Sequence, residues 1–514
     1  LVLLAACSTD GGNGGLGPNP FLNVEDEGKE DTGYLNVRGV EVHATVEADI
    51  QAPQWSVWTA PAELLQFATT YLKERDELYI EILAEDAAAA DRTEWRVDGT
   101  WLTREQASSV DPSKLTHFRM QMVNAVVMDA PESLQAGAVF NARVPLKPLS
   151  IMTDAGSACA TPDSHISLDQ SVYWYLWNPD RSGCNAGLVQ TMTVTVAEVL
   201  PFNPESYPEY DKLWADNRLD VVVLFGKLDD GNVEDDTNWS NVRDLGEWLV
   251  EAGFNEQPGA PLGKRYARQA GEKSIVVDIY GPDLFYSVAD YTHMPNWQKA
   301  VSEHEVVMYN GHSVLGTGYA FERVTYPDFY QIFQVASCLS YEYYVRPVLA
   351  GKGSWDKVEV VSNVYPTYYS ENLPLVSTLL AKLFFGFENG GRTSWQDIME
   401  AVSRRLGHAR FGVSGARGNC FSPEGSRCEP GPEPNPETRR HENTTPAAIP
   451  DNDSGGATSS IEVPGPLTVG ALAVELNVTH SYVGDLKIVL THNGTEAALW
   501  NREGGSDDNI RQTF

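Results

Sequence analysis

Two side chains in the stretch 304–340, His312 and Cys338, have the types and the setting for nucleophilic chemistry. A thiol is a weak nucleophile until its proton is removed, and imidazole is the side chain best matched to that task near neutral pH. Each residue follows a short apolar run. Val306-Val307-Met308-Tyr309 stops at Asn310-Gly311 and delivers His312, while Tyr330 to Ala336 runs through Ser337 to Cys338. Such runs, bounded by turn residues, read as buried strands of a parallel sheet. The crevice of an open parallel sheet lies beyond the carboxyl ends of its strands. Neighbouring strands would therefore set the imidazole beside the thiol at one edge. In that reading Cys338 attacks a carbonyl as thiolate and His312 takes the proton and returns it to the leaving amine. Backbone amides of Ser313 and Cys338 would hold the oxyanion. The bland alternatives are an inert buried thiol and a loop histidine satisfied by backbone.

Cysteine usage separates Cys338 from the rest. The six cysteines are 7, 159, 184, 338, 420 and 428. Cys159 and Cys184 flank a strand-rich segment, and Cys420 and Cys428 flank a short turn, so each pair can close a disulfide in an oxidising compartment. Cys7 ends Leu4-Ala5-Ala6-Cys7, which resembles the bacterial lipobox, where the cysteine is lipidated and becomes the mature N-terminus. The resemblance implies residues 1–7 as a signal-peptide remnant whose start is missing. It also implies a tether over 8–33 and an outer-membrane lipoprotein of the cell envelope. No later stretch has the ~18–20 apolar residues of a spanning helix. The net charge of −34 over 514 residues argues against nucleic acid as a partner. Membrane contact is then expected only through the lipid on Cys7.

The elements that must position the site read as three folded regions. Residues 34–200 carry alternating runs such as Tyr34–Val37, Val40–Val46, Leu78–Leu83, Phe118–Met122 and Thr191–Val196, with one helix around Pro61–Arg75, and read as a β-rich domain. Ala84–Asp91 reads as a short helix or a loop. The run Ser171–Pro179 reads as core packing, with a stacking platform for sugar or peptide as the alternative. From about 218 the pattern changes to apolar strands alternating with helices, and 201–418 reads as an α/β doubly wound domain. Its strands are expected at Leu219–Gly226, Ser274–Gly281, 305–310, 330–337 and Val358–Ser362. A last helix opens on the capping box Ser394-Trp395-Gln396-Asp397 and stops at Gly407. The acidic loop 229–236 reads as a solvated loop; calcium is the alternative, although the spacing is not that of an EF-hand. Residues 419–446 read as a stiff Pro/Glu-rich linker, in which Arg439-Arg440 reads as an exposed chance pair, with proteolytic processing as the alternative. Residues 447–514 return to alternation, as at Leu472–Val478, and read as an antiparallel sandwich.

Two regions resemble known families. Ile449-Pro450-Asp451, Val478–Leu486, Asn493-Gly494-Thr495 and Gly504–Asn509 resemble the P/Homo B domain, a jelly-roll β-sandwich found on secreted bacterial enzymes and beside subtilisin-like proteases. The resemblance implies further strands beyond Phe514. Residues 218–415 resemble the caspase, gingipain and clostripain group of cysteine peptidases in their order of elements, with one strand ending at His312 and the next at Cys338. The two residues lie 26 apart, which is short for that group. Gly311 precedes the histidine instead of following it, and Ser337 stands where the group has Ala or Gly.

The fold class expected is thus multidomain: a β-rich N-terminal domain, a central caspase-like α/β sheet and a C-terminal jelly roll. The function expected is an exported, lipid-anchored cysteine endopeptidase acting on protein or peptide substrates. Two alternatives stand beside it. One is the serine-type activity that the P-like domain implies, although no H-G-T or G-T-S-x motif occurs. The other is a surface adhesion or scaffold lipoprotein with an inactive peptidase fold. No cofactor is required by this reading, and no H-E-x-x-H or C-x-x-C appears. Calcium in the P-like sandwich is the one ion considered.

Overall fold

The computed structural model describes residues 34–81, 92–131, 133–162, 168, 173–200, 205–314, 319–428, 441–450, 456–463, 472–492, 495–502, 504–506 and 508–513. The lipobox with Cys7, the tether, Ala84–Asp91 and the Arg439-Arg440 pair lie outside the described residues. The chain divides into two compact units, Leu1–Cys428 and Glu429–Phe514.

Alternation in the N-terminal part produces antiparallel strands, as the period of two requires. They are β1 (Gly39–Asp49), β2 (Tyr79–Ile80), β3 (Thr93–Val97), β4 (Thr100–Leu102), β5 (His117–Met128), β6 (Val139–Pro145) and β7 (Val189–Leu200). They form one sheet in the order β4-β3-β5-β1-β7-β6, with β2 pairing β5 off that path. The sheet packs on the helix Ala60–Lys73, which buries Leu64, Leu65, Phe67, Ala68 and Leu72. Each fully buried large side chain of this kind contributes about 1.5–3 kcal/mol. Tyr173, Trp174, Leu176 and Trp177 join this core, with the Trp177 ring edge-on to Phe67, so the aromatic run is packing. The Cys159–Cys184 disulfide closes beside it.

The second part of the same unit is an eight-stranded sheet of β8 (Arg218–Phe225), β9 (Asn255–Gln257), β10 (Lys264–Ala270), β11 (Lys273–Tyr280), β12 (Val306–Asn310), β13 (Gln331–Ala336), β14 (Val358–Asn363) and β15 (Phe411–Ser414). Their order is β15-β14-β13-β12-β8-β11-β10-β9. The five strands expected from apolar runs are the parallel ones, β8, β11, β12, β13 and β14. Along β8, Val221 and Val223 face a core with the helices Asn238–Glu251, Tyr369–Glu388 and Trp395–Leu406, while Val222 and Leu224 face another with Met294–Glu303 and Val345–Lys352. Both faces are covered, which is why these strands read as continuous apolar runs. The capping box at Ser394 and the left-handed Gly407 bound the last helix as expected.

Chain order makes β8 the reversal point. The chain leaves β8 for β11 on one side and then crosses back to β12 on the other. Connections from β8 and β12 thus run to opposite faces, which opens a crevice between their carboxyl ends.

Two expectations shift. Tyr34–Val37 is not a strand of the N-terminal sheet; Leu35 bridges Val413 of β15 and extends the α/β sheet. Residues 419–428, read as the start of the linker, are folded onto the first unit. Glu209 accepts from the backbone N–H of Cys420 and Phe421, and the Cys420–Cys428 disulfide closes the turn. A buried carboxylate needs donors, and these amides supply them.

Among its described residues the second unit holds two antiparallel pairs. One is β16 (Glu475–Val478) with β19 (Ile510–Thr513), the other β17 (Lys487–His492) with β18 (Thr495–Asn501). The β17–β18 ladder ends at His492↔Thr495. Val483, Leu486 and Ile510 form its small core.

Candidate active site

Asn310 of β12 and Ala336 of β13 are register partners in adjacent parallel strands. His312 and Cys338 each lie two residues past that pair, so both stand at the same carboxyl edge. The Gly311 N–H still bonds the Ala336 carbonyl at 3.1 Å, which keeps the strands together to the rim. β8, β12 and β13 are neighbours, and the crevice of the reversal point lies where His312 sits.

His312 is exposed, and its Nε2 donates to the Leu228 carbonyl at 3.0 Å. That bond joins the loop after β12 to the loop after β8 across the crevice. It also assigns the tautomer, since a carbonyl accepts only from N–H. Nδ1 keeps its lone pair and has no partner among the described residues. Asp229, next along the loop, is held below the usual carboxylate range first by hydrogen bonds from the Thr237 side chain and backbone, with His312 adding to the effect. Asp229 is thus a nearby negative charge, with no ion pair to His312.

Cys338 is half-buried and is not in a disulfide. Burial pushes its thiol up, and a backbone contact at Thr367 and the Lys73 ammonium pull it back down. Thiol and imidazole share the edge without a hydrogen bond between them.

The turns that present both residues are over-determined. Leu339, directly after Cys338, has φ 58 and ψ 42, a left-handed conformation that costs a non-glycine residue energy. Val314, two residues past His312, has φ 45, which is rarer still for a β-branched side chain. Buried contacts hold these turns in place. Tyr309 Oη donates to the His312 carbonyl at 2.8 Å, and Tyr344 Oη donates to the Ser313 carbonyl. The Ser337 carbonyl accepts from Asn363 Nδ2 at 2.6 Å and Thr367 Oγ1 at 2.9 Å. Gly311 is glycine for a local reason: a Cβ there would sit 2.5 Å from the Tyr309 hydroxyl. This explains the inverted order Gly311-His312, since the glycine makes room for the tyrosine that holds the histidine.

Ser313 is buried, and neither its backbone N–H nor that of Cys338 has an acceptor among the described residues. Two free amides at a strand edge can take a developing oxyanion. The acidic loop is occupied with its own geometry: Asp236 accepts from the N–H groups of Leu228 and Asp229, both at 2.8 Å. Among the described residues no cluster of three or more His, Cys, Asp or Glu side chains is placed to hold a metal. No described helix is long and apolar enough to cross a membrane.

Sequence reasoning missed Leu228, Tyr309, Tyr344, Thr367 and Lys73. Leu228 acts through its carbonyl, which no side-chain pattern reveals; Thr367 and Lys73 come from segments distant in sequence, and the hydroxyl bonds of Tyr309 and Tyr344 to the His312 and Ser313 carbonyls follow only from the folded turns.

No family model matches the chain, and no solved structure matches it significantly. Among curated proteins, a stretch of 85 residues is 39% identical to leupeptin-inactivating enzyme 1 of Streptomyces exfoliatus. The match covers 16% of this chain and 19% of that protein.

Proposed function

We propose that the first unit is a cysteine endopeptidase, with Cys338 as nucleophile and His312 as general base and acid. The observation that carries this reading is the shared register of the two residues, each two positions past Asn310↔Ala336 on adjacent parallel strands. In the first step Nδ1 of His312 accepts the thiol proton while Sγ of Cys338 bonds to the substrate carbonyl carbon. The resulting oxyanion is held by the N–H groups of Ser313 and Cys338. The imidazolium, stabilised by the Leu228 carbonyl and Asp229, gives its proton to the leaving amine as the C–N bond breaks. Water then enters, His312 deprotonates it, and the acyl-enzyme is hydrolysed. The name of the partial relative points toward protease-related chemistry and supports this class. In the same reading the protein is exported, lipid-anchored through Cys7 at the outer membrane, and carries a P/Homo B-type second unit. Protein or peptide is the substrate, and calcium, if bound, belongs to the second unit.

Labelling of the purified chain by a peptidyl cysteine-directed probe tests the dyad. Wild-type labelling that is lost in both Cys338→Ala and His312→Ala is expected. Labelling of His312→Ala at the wild-type rate would mean an ordinary accessible thiol and would return the inactive scaffold reading.

A further inference from the structure

One short segment of the N-terminal β-module, Lys73–Glu81, grips both pieces of chain that frame Cys338. On the downstream side, Lys73 Nζ pairs with Glu342 at 3.0 Å, with side chains 11% and 5% exposed. Glu81 pairs with Arg346 at 2.9 Å, with side chains 2% and 8% exposed. On the other side, Asp76 accepts from the Tyr365 hydroxyl at 2.6 Å, and the Tyr79 ring packs on Tyr365 with centroids 4.9 Å apart. Tyr365 stands two residues before Thr367, whose hydroxyl holds the Ser337 carbonyl. From β1, Glu41 adds a bond from Tyr341 Oη at 3.0 Å. Buried ion pairs are costly to form and costlier to break on one side, so they are weak devices for stability and strong ones for register. Here three acidic or basic partners are set on residues 341, 342 and 346, directly past the left-handed Leu339.

We infer that the N-terminal β-module is part of the catalytic unit and that Lys73, seated by its buried pair with Glu342, is a positioning residue whose charge favours the thiolate of Cys338. The inference rests on Cys338 being the reactive thiol. Lys73 does not touch substrate. Its ammonium is held on Glu342, four residues past the nucleophile, and pulls the Cys338 thiol toward its charged form.

The test is the pH profile of Cys338 alkylation by iodoacetamide in the full chain, for wild type, His312→Ala, Lys73→Met, Lys73→Arg and Glu342→Gln. Lys73→Met should move the profile to higher pH and slow alkylation at pH 7 by about threefold to tenfold. Lys73→Arg should keep the wild-type profile. Glu342→Gln should move it to lower pH, because the cation loses its counter-charge. A merely structural role would move Lys73→Met and Glu342→Gln in the same direction, and that result overturns the inference. A profile that changes in His312→Ala but not in Lys73→Met also overturns it and leaves the dyad standing. A profile indifferent to His312→Ala defeats the dyad itself. Should Lys73→Met fail to fold, the opposite shift in Glu342→Gln remains decisive.

Discussion

The two ends of β12 carry one histidine each, and they are put to opposite uses. His304, before the strand, is 1% exposed and has both ring nitrogens occupied. Its Nδ1 meets the Ala300 carbonyl at 2.8 Å and its Nε2 meets Asp278 at 3.2 Å. Asp278 in turn receives two bonds from Arg265, each at 2.7 Å. Burial alone would raise the Asp278 carboxyl, but the bonds from Arg265 and His304 outweigh it and hold it below the usual range. His312, after the strand, is exposed, has one nitrogen tied to a carbonyl and one left with its lone pair. A saturated imidazole in a charge network is a structural part. A half-satisfied one at the carboxyl edge of a parallel sheet is equipped to move a proton.

The largest effect that can sharpen this contrast is removal of the nucleophile. Cys338→Ala should abolish probe labelling and lower any peptide hydrolysis by on the order of 10⁴-fold or more. Hydrolysis that persists near the wild-type rate would place the chemistry elsewhere, including in a serine-type site. His312→Ala should follow, with turnover falling about 10²–10⁴-fold while the fold is retained, as circular dichroism and the unfolding midpoint would show.

His304→Ala should invert that pattern. It leaves Asp278 buried with one donor fewer and opens a cavity, so it should cost roughly 2–4 kcal/mol in stability. The rate of probe labelling at a temperature where the variant is folded should stay within about twofold of wild type. A labelling rate that collapses in His304→Ala would show that the two ends of β12 are coupled and would break the contrast. Acid should expose the same network. The Asp278 pKa is depressed, so its contribution is present above the unfolded value of about 3.9 and lost as pH falls below it.

Much of this arrangement is legible in the sequence. The five parallel strands announce themselves as apolar runs because both faces of the sheet are covered. The turn chemistry at Asn310-Gly311 marks where β12 must end. The antiparallel strands at the two ends of the sheet are not legible: β10 reads Lys-Arg-Tyr-Ala-Arg-Gln-Ala with only Tyr266 buried, and β15 has only the residues Phe411–Ser414. The disulfides follow from cysteine arithmetic, which also isolates Cys338. What supports His312 and Cys338 is hidden, because a carbonyl at Leu228 has no side-chain signature and Lys73 meets Glu342 across 269 positions of chain. Local pattern decides the strands; only tertiary packing decides which rim residues hold a turn.

The smallest effect lies next to His304 and separates the two ends of β12 by pH. Glu305 is partly buried at the inert end, and its carboxyl accepts from the Asp220 N–H at 2.8 Å. Burial pushes its pKa up to about 7, against the Asp220 hydrogen bond and with help from the Asp220 and Asp216 charges. An acid whose folded pKa is raised binds its proton more tightly in the folded state. Its stabilising effect is therefore full below the unfolded value of about 4.3 and is lost as pH rises through about 7. Glu305→Gln keeps an acceptor for the Asp220 N–H and removes the charge. The variant should be more stable than wild type at pH 8, by about 1–2 kcal/mol after discounting for partial exposure, and nearly equal to it at pH 4. Urea midpoints at the two pH values check this, and equal differences at both would show that Glu305 is not the titrating group. Probe labelling in Glu305→Gln should keep the wild-type pH dependence, since the group that governs it sits at the other end of the strand.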